Sequence, residues 1–141
     1  MTTKAKVKKK YYSVAEANAT LPLLRSILRD ITELAISLQD RHERLTRLQS
    51  SGNVDRAHQE EIQHVTAEFE KDQERMRAFE EELGALQVQL KDYFTGLVDF
   101  PCRMDGKEAL LCWRLGEPEV AHWHELDAGF AGRKKLPRII E

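Results

Sequence analysis

Apolar side chains recur every three or four positions through most of the first ninety residues. The first series consists of Leu24, Leu28, Ile31, Ala35, Leu38 and Leu45, with His42 at one further position of it. Residues at this spacing lie on one face of an α-helix. Four more apolar residues lie beside that face: Leu23, Ile27, Leu34 and Ile36. The segment therefore predicts a long helix whose wide apolar face contacts more than one neighbour.

Helix boundaries can be predicted from individual residues. Ser13 and Glu16 fit a capping box, in which each side chain accepts a backbone N–H of the other residue at a helix start. Pro22 would break an ongoing helix but suits the first turn of a new one, which Thr20 can cap. We therefore predict a short helix, a kink near residues 20–22 and a long helix to about Leu48.

A second series with the same spacing follows the turn-forming residues 50–53. It consists of Ile62, Val65, Phe69, Asp72, Met76, Phe79, Leu83, Leu86, Leu90 and Tyr93. A seam of this length, flanked by charges, is typical of coiled-coil packing. The two helices should fold back on each other as an antiparallel hairpin over residues 13–94. Asp72 interrupts the seam opposite Ala35, so we expect its carboxylate to reach water at the edge or to set the register.

The residues after Gly96 have a different period. Leu97–Arg103 and Glu108–Leu115 are short apolar runs, and Asp105–Gly106 between them indicates a two-residue hairpin turn. This loop fixes three pairs that share the face toward the helices: Cys102 with Ala109, Phe100 with Leu111, and Val98 with Trp113. The opposite face receives Asp99, Arg103, Glu108, Cys112 and Arg114. Pro101 lacks a backbone donor, which predicts that its strand lies at the sheet edge.

Val120–Leu126 is predicted to form a third strand. His122 and His124 would share one face of it, and Trp123 would lie on the other. A four-residue turn at 116–119 would pair His122 with Trp113, directing both histidines toward the helices, although a slip of one residue would reverse this. The predicted fold is mainly α: a long helical hairpin capped by a small two- or three-stranded antiparallel sheet in residues 96–133, forming a single domain over residues 1–141.

Composition narrows the function classes. The chain has 141 residues and a formal net charge of −2, so the molecule as a whole has no electrostatic preference for nucleic acid or membranes. Residues 1–10 form a basic tail containing Lys4, Lys6, Lys8, Lys9 and Lys10. Nucleic-acid association through this tail with Arg133, Lys134, Lys135 and Arg138 is one alternative. The chain lacks an apolar stretch long enough for a signal peptide or membrane span, so we expect a cytoplasmic protein.

Several side chains of the C-terminal part could bind a ligand. Glu117, Trp123, His124, Arg133 and Asp99 could form a site for a partner or a small anion, and the glycines of residues 127–135 would let backbone amides approach it. Alternatively, His124 and His122 could hold a divalent metal, completed by Cys112, Glu125, Asp127 or Asp99. His42, His58 and His64, near the hairpin turn, are another group that could bind a metal. Neither a paired Cys-x-x-Cys nor a His-Glu-x-x-His motif is present.

The same segments carry a family resemblance. The matching residues are Ser13–Asn18, Leu21–Leu24, Gly96–Pro101, Leu111–Glu119 and Trp123–Arg133. Together they resemble the prokaryotic family named domain of unknown function 2203. The resemblance implies no activity. It implies that Trp123–His124 and Gly116–Glu117 recur in the family and that the His122 position usually holds a tyrosine or another residue. A shared site would then include His124 and need not include His122.

Three functional interpretations follow. The first is a non-enzymatic, dimeric structural or interaction protein without a cofactor, because the wide face of the first helix needs either the C-terminal segment or a second copy of the chain to cover it. The second is a metal-binding protein or metal-dependent enzyme that uses His124 with nearby acids or Cys112. The third is nucleic-acid association through the basic segments. We expect the first.

Overall fold

Two long helices and a five-stranded antiparallel sheet make up the computed structural model, which describes residues 8–52 and 54–137. Helix α1 is Val14–Ser50 and α2 is Arg56–Ala85. The strands are β1 (Gln89–Asp92), β2 (Leu97–Met104), β3 (Lys107–Arg114), β4 (His122–Glu125) and β5 (Lys134–Lys135), with a short 3₁₀ turn at Phe130–Gly132. Strand order in the sheet follows the chain. The mainly α class and the helical hairpin are confirmed, and the sheet has five strands rather than two or three.

Helix α1 begins at the predicted capping box but has no second start. The Ser13 hydroxyl accepts the Glu16 amide and the Glu16 carboxylate accepts the Ser13 amide, each at 3.0 Å. The helix then continues through Pro22. The Thr20 hydroxyl donates to the Glu16 carbonyl one turn back, at 2.8 Å, instead of capping a new helix. The predicted break is wrong because burial of neighbouring apolar residues such as Leu21 and Leu24 offsets the cost of a proline inside the helix.

Helix α2 ends earlier than predicted. Its last residue is Ala85, and Gln87 adopts a left-handed conformation with φ of 57°. Leu90 therefore lies in β1, and Tyr93 follows that strand. The prediction that the hairpin continues to residue 94 is wrong because the end of the apolar series also fits a strand, and β1 forms backbone hydrogen bonds with β2.

The predicted pairing of β2 with β3 is confirmed. Cys102 pairs with Ala109, Phe100 with Leu111, and Val98 with Trp113, and all six side chains belong to a core that also contains residues of α1. The prediction that the Pro101 strand lies at the edge is wrong, since β1 flanks β2 on its other side. However, β1 reaches only as far as Asp99, so Pro101 lies beyond its last pair.

The predicted register of the third strand, β4 in the structure, is wrong by one residue. Cys112 pairs with His122, and Leu110 pairs with His124. Since adjacent residues of a strand point to opposite faces, this shift moves both histidines from the helix-facing side to the opposite side, called here the outer face. The outer face carries Asp99 and Cys112 as well.

Both ends of the described chain lie against the sheet. The Tyr12 amide donates to the Pro101 carbonyl at 2.7 Å, and the Leu136 amide donates to the Ala121 carbonyl at 2.9 Å. Tyr12 and Leu136 line the same cavity of about 490 Å³. Two segments near the ends of the described residues therefore border one cavity.

Two further predictions can be compared with the structure. Asp72 is buried instead of reaching water, and it pairs with Arg41 and, at 3.6 Å, with Arg75. No helix within residues 8–52 and 54–137 is long and apolar enough to cross a membrane. Coiled-coil packing and dimer formation stay predictions. Lys4, Lys6 and Arg138, named above, lie outside the described residues, as does residue 53 of the predicted turn.

Candidate metal centre

Three side chains capable of binding a metal converge on the outer face. Asp99 comes from β2, Cys112 from β3 and His124 from β4, and the Asp99 and Cys112 positions are direct cross-strand partners. Their exposed fractions are only 2%, 1% and 2%, respectively. Alternation along each strand places them opposite the apolar residues that face the helices. Polar side chains buried this deeply require partners, because desolvation without them is costly.

The three groups are close enough to share one ion. One donor atom from each residue lies within 4.8 Å of the others. His124 Nε2 is 3.1 Å from Asp99 Oδ2. The second carboxylate oxygen, Asp99 Oδ1, is buried and has no hydrogen-bond partner among the described residues. Asp99 therefore retains unused capacity to bind a cation.

The hydrogen bonds of His124 define where its proton resides. His124 Nδ1 lies 2.7 Å from the Glu125 carbonyl oxygen. A carbonyl only accepts hydrogen bonds, so Nδ1 carries a proton, which leaves a lone pair on Nε2 in the neutral ring. That lone pair then faces a carboxylate oxygen, and two acceptors at this distance repel each other unless a proton or a metal ion lies between them. A histidine that ligates a metal typically donates its other N–H to a carbonyl in this way.

Cys112 has the chemistry of a buried thiol rather than of a free nucleophile. Burial raises its pKa to about 11, and the guanidinium of Arg133, 3.9 Å away from Sγ, only partly opposes this. The nearby carboxylates of Asp99 and Glu117 also disfavour the thiolate. Without a metal, Cys112 is therefore protonated at neutral pH, whereas a bound cation would stabilise the thiolate.

Glu117 and Arg133 form an ion pair beside Cys112. Two hydrogen bonds of 3.1 and 2.5 Å join the guanidinium to the carboxylate, and the Arg114 amide donates to Glu117 Oε1 at 2.8 Å. Burial tends to raise the pKa of Glu117, but the hydrogen bonds and charge of Arg133, with the Arg114 amide, lower it overall. The arginine predicted to bind an anion is thus already paired with an acid of the same chain.

A small cavity adjoins the three side chains. Its volume is about 210 Å³, and it is lined by Asp99, His124, Lys91, Leu97, Leu110, Leu126, Gly129 and Phe130. Cys112 does not line it. Residues that follow β4 therefore share the lining of this cavity with the Asp99–His124 pair.

Comparison with known proteins places the chain in a family. The family described as uncharacterized conserved protein, domain of unknown function 2203, matches residues 10–136. The chain belongs to this family. No curated protein and no solved structure matches the chain.

The matched family segment contains all five predicted ligand-binding residues, but the structure divides them. Asp99 and His124 lie together, while Glu117 and Arg133 form the adjoining pair. Trp123 lies on the opposite side of β4, packed against the core, with the Lys134 ammonium 5.1 Å from its ring centre. The predicted site is therefore two neighbouring clusters without the tryptophan.

The structure also separates the residues that were predicted to bind a metal. His122 lies outside the cluster of three; its Nδ1 is buried without a partner among the described residues, and burial and the Arg133 charge lower its pKa. The side chains of Glu125 and Asp127 are exposed. Of the four additional ligands considered from sequence, Asp99 and Cys112 join His124.

The histidines near the helical turn have other contacts. His58 Nε2 lies 2.7 Å from the Leu48 carbonyl, and His64 Nε2 lies 2.6 Å from the Glu68 carboxylate. His42 contacts the Phe69 ring, with 6.0 Å between ring centres. Within the described part of the chain, the cluster of Asp99, Cys112 and His124 is the one that brings three such donors together.

Lys91 is a cavity-lining residue that the sequence pattern did not predict. It was assigned to the end of the second helix, where it would have been an ordinary surface residue, whereas in the structure it belongs to β1 and lines the cavity. The alternation of Leu86, Val88 and Leu90 was the available signal for a strand at this position.

Proposed function

We propose that the protein binds a divalent metal ion of the zinc class through Asp99 Oδ2, Cys112 Sγ and His124 Nε2. The observation that carries this proposal is the convergence of three buried donors from three adjacent strands. Mixed nitrogen, sulfur and oxygen ligands suit Zn²⁺ better than Mg²⁺ or Ca²⁺, which prefer oxygen.

The spacing of the donors is consistent with this choice. In a tetrahedral zinc site, metal–ligand distances of about 2.0–2.3 Å place the donor atoms roughly 3.5 Å apart. The 3.1 Å separation of His124 Nε2 and Asp99 Oδ2 is close to that value. All three donor atoms lie within 4.8 Å of one another, so a small inward movement of the side chains would bring them to the spacing of a zinc site.

Charge balance also supports a divalent ion. An ionised Asp99 and a Cys112 thiolate contribute two negative charges, while His124 binds as a neutral ring. A divalent cation makes this buried group neutral overall, which removes the large cost of burying uncompensated charge.

The other interpretations have weaker support. Anion binding by Arg133 competes with its pairing to Glu117. In the basic tail, Lys9 pairs with Glu108 and Lys10 with Glu16, which reduces the charge available to nucleic acid. The helical hairpin supplies none of the three ligands, so it fits the role of a structural or dimerising arm for a metal-binding sheet.

Metal analysis of untagged protein tests the proposal. We expect about one equivalent of zinc or cobalt per chain, with a thiolate-to-cobalt absorption band. Asp99→Asn, Cys112→Ser and His124→Ala should each weaken binding by at least about tenfold, because each removes a direct ligand.

Cys102→Ser is the matched control. Cys102 is also buried, and burial likewise raises its pKa to about 11, but it lies on the helix-facing side of the sheet. The Cys102→Ser protein should therefore bind metal as tightly as the unmodified protein. Substoichiometric metal in the unmodified protein, or full binding by folded Cys112→Ser, would refute the proposed centre.

A further inference from the structure

We propose that the metal keeps one coordination position for a small carboxylate ligand, which occupies the adjoining cavity and pairs with Lys91. This inference rests on the proposed metal centre. The cluster supplies three protein ligands, and a site with three protein ligands leaves a fourth position for water or another molecule.

The cavity gives access to that position. Asp99 and His124 line both the cavity and the metal cluster, whereas Cys112 belongs to the cluster alone. An ion held by the three residues would therefore border the cavity through Asp99 and His124, while Cys112 binds it without lining the cavity.

Lys91 is placed at the cavity by an irregularity of β1. Leu90 pairs with Val98 and Asp92 pairs with Leu97, which leaves Lys91 as an extra residue in a bulge. Bulges redirect a side chain and are frequent beside functional sites. Among the residues lining the cavity, Lys91 is the one cation, and it has no ion-pair partner within the described residues.

The apolar residues that line the cavity favour a ligand with an aliphatic tail. Leu126 and Phe130 line the cavity together with Leu97 and Leu110, so four apolar side chains share it with the polar pair. One carboxylate oxygen would bind the metal, the other would accept a hydrogen bond from the Lys91 ammonium, and an aliphatic tail would contact the apolar wall. At about 30 Å³ per water, the 210 Å³ cavity corresponds to roughly seven waters, which suits a chain of a few carbon atoms.

Cobalt-loaded protein provides the test, because the visible spectrum of the ion reports changes in its coordination. Butyrate, acetate and inorganic phosphate are titrated separately. We expect saturable spectral changes with butyrate, weaker binding of acetate because its tail is shorter, and the weakest response to phosphate because it has no tail.

Lys91→Met keeps the length of the side chain and removes its charge. It should weaken butyrate binding at least about tenfold, the effect of losing one charge-assisted contact, while leaving cobalt affinity unchanged. Lys107→Met, at the start of β3 and away from the cavity, is the control and should bind butyrate normally.

The outcomes separate the two proposals. Cobalt binding without any response to butyrate up to tens of millimolar would overturn the carboxylate site and leave the metal centre intact. Equal butyrate binding by Lys91→Met would also overturn it, as would phosphate binding as tightly as butyrate. If cobalt does not bind at all, both proposals fall.

Discussion

The pair of Glu117 and Arg133 links the turn after β3 to the segment after β4. Arg133 also approaches Cys112 Sγ and lies against the Phe130 ring, 4.5 Å from its centre. Glu117 receives the Trp113 indole N–H on its backbone carbonyl at 3.1 Å. The pair therefore holds two irregular segments in place over the outer face of the sheet.

Removing the Glu117 charge should change the dependence of stability on pH. The pKa of Glu117 in the folded protein lies below its ordinary value of 4.5. Its stabilising effect is therefore present above about pH 4.5 and is lost as the pH falls through the lower, folded value. Glu117→Gln should lower the free energy of unfolding by roughly 1–3 kcal/mol near neutral pH. In acid, the variant should lose less additional stability than the unmodified protein.

Urea unfolding near neutral pH and in acid measures this effect. Glu119→Gln is the control, because Glu119 is an exposed acid in the same turn. The assignment fails if the two variants lose equal stability, or if Glu117→Gln is as acid-sensitive as the unmodified protein.

Individual site residues were predictable to different degrees. Asp99 and Cys112 were placed on one face because the two-residue loop at Asp105–Gly106 fixes the register of the first hairpin. His124 was identified by residue type but placed on the wrong face. The turn before it is held by contacts that spacing cannot reveal, including the Val120 amide donating to Asn18 Oδ1 at 2.8 Å.

Among the elements, the long periodic segments were the most predictable. A helical spacing maintained over many turns favours a helix strongly, so both helices were predicted, although the break at residues 20–22 and the end of α2 were wrong. The end of α2 was ambiguous because Leu86 and Leu90 satisfy a helical and an alternating pattern alike. Hydrogen bonding of β1 to the distant β2 decided the outcome, and such pairing cannot be derived from local spacing.

Gly96 is required where β2 begins. Its φ is +69°, and a Cβ at this position would lie 2.8 Å from the Leu115 Cβ. Gly106 has φ of +78°, but a Cβ added to it would have no neighbouring atom within 4 Å. Replacing either glycine by alanine should lower the free energy of unfolding by about 1–2 kcal/mol, because a side chain disfavours the left-handed backbone conformation. Gly96→Ala should lose a further 1–3 kcal/mol, roughly the cost of overpacking.

Thermal unfolding of the two glycine variants tests this difference. A lower melting temperature for Gly96→Ala than for Gly106→Ala is expected. Equal melting temperatures would mean that Leu115 moves aside freely, and would contradict a tight contact between the start of β2 and the end of β3.

At the scale of the whole molecule, one core joins the hairpin to the sheet. Leu24, Leu28 and Ile31 of α1 belong to the same buried cluster as Phe100 and Trp113. The C-terminal sheet thus covers part of the wide face of α1, one of the two partners considered from sequence. Leu23 and Ile36 on that helix remain about half exposed.

A second copy of the chain remains the predicted partner for the uncovered apolar surface. Leu38, Phe69, Met76 and Phe94 contribute to a groove of about 330 Å³, and the Phe94 side chain is 51% exposed. If a dimer forms through this groove, Phe94→Ser should shift the protein toward monomer, because it removes apolar contact area.

Sedimentation velocity over a range of concentrations measures the shift. Val54→Ser is the matched control, since Val54 is 84% exposed and lies by the turn between the helices. A monomeric unmodified protein at every concentration would refute the dimer, and equal effects of the two variants would exclude this groove as its interface.

The shared cavity of Tyr12 and Leu136 has a consequence for connectivity. Because Tyr12 and Leu136 border the same cavity, we expect that a linker replacing the residues outside them could join these two positions. The backbone could then be reopened at the exposed turn around Gly52, which has open space beside it. Such a circular permutant would retain every strand pair and both helices, because the architecture depends on which surfaces meet and not on where the polypeptide begins.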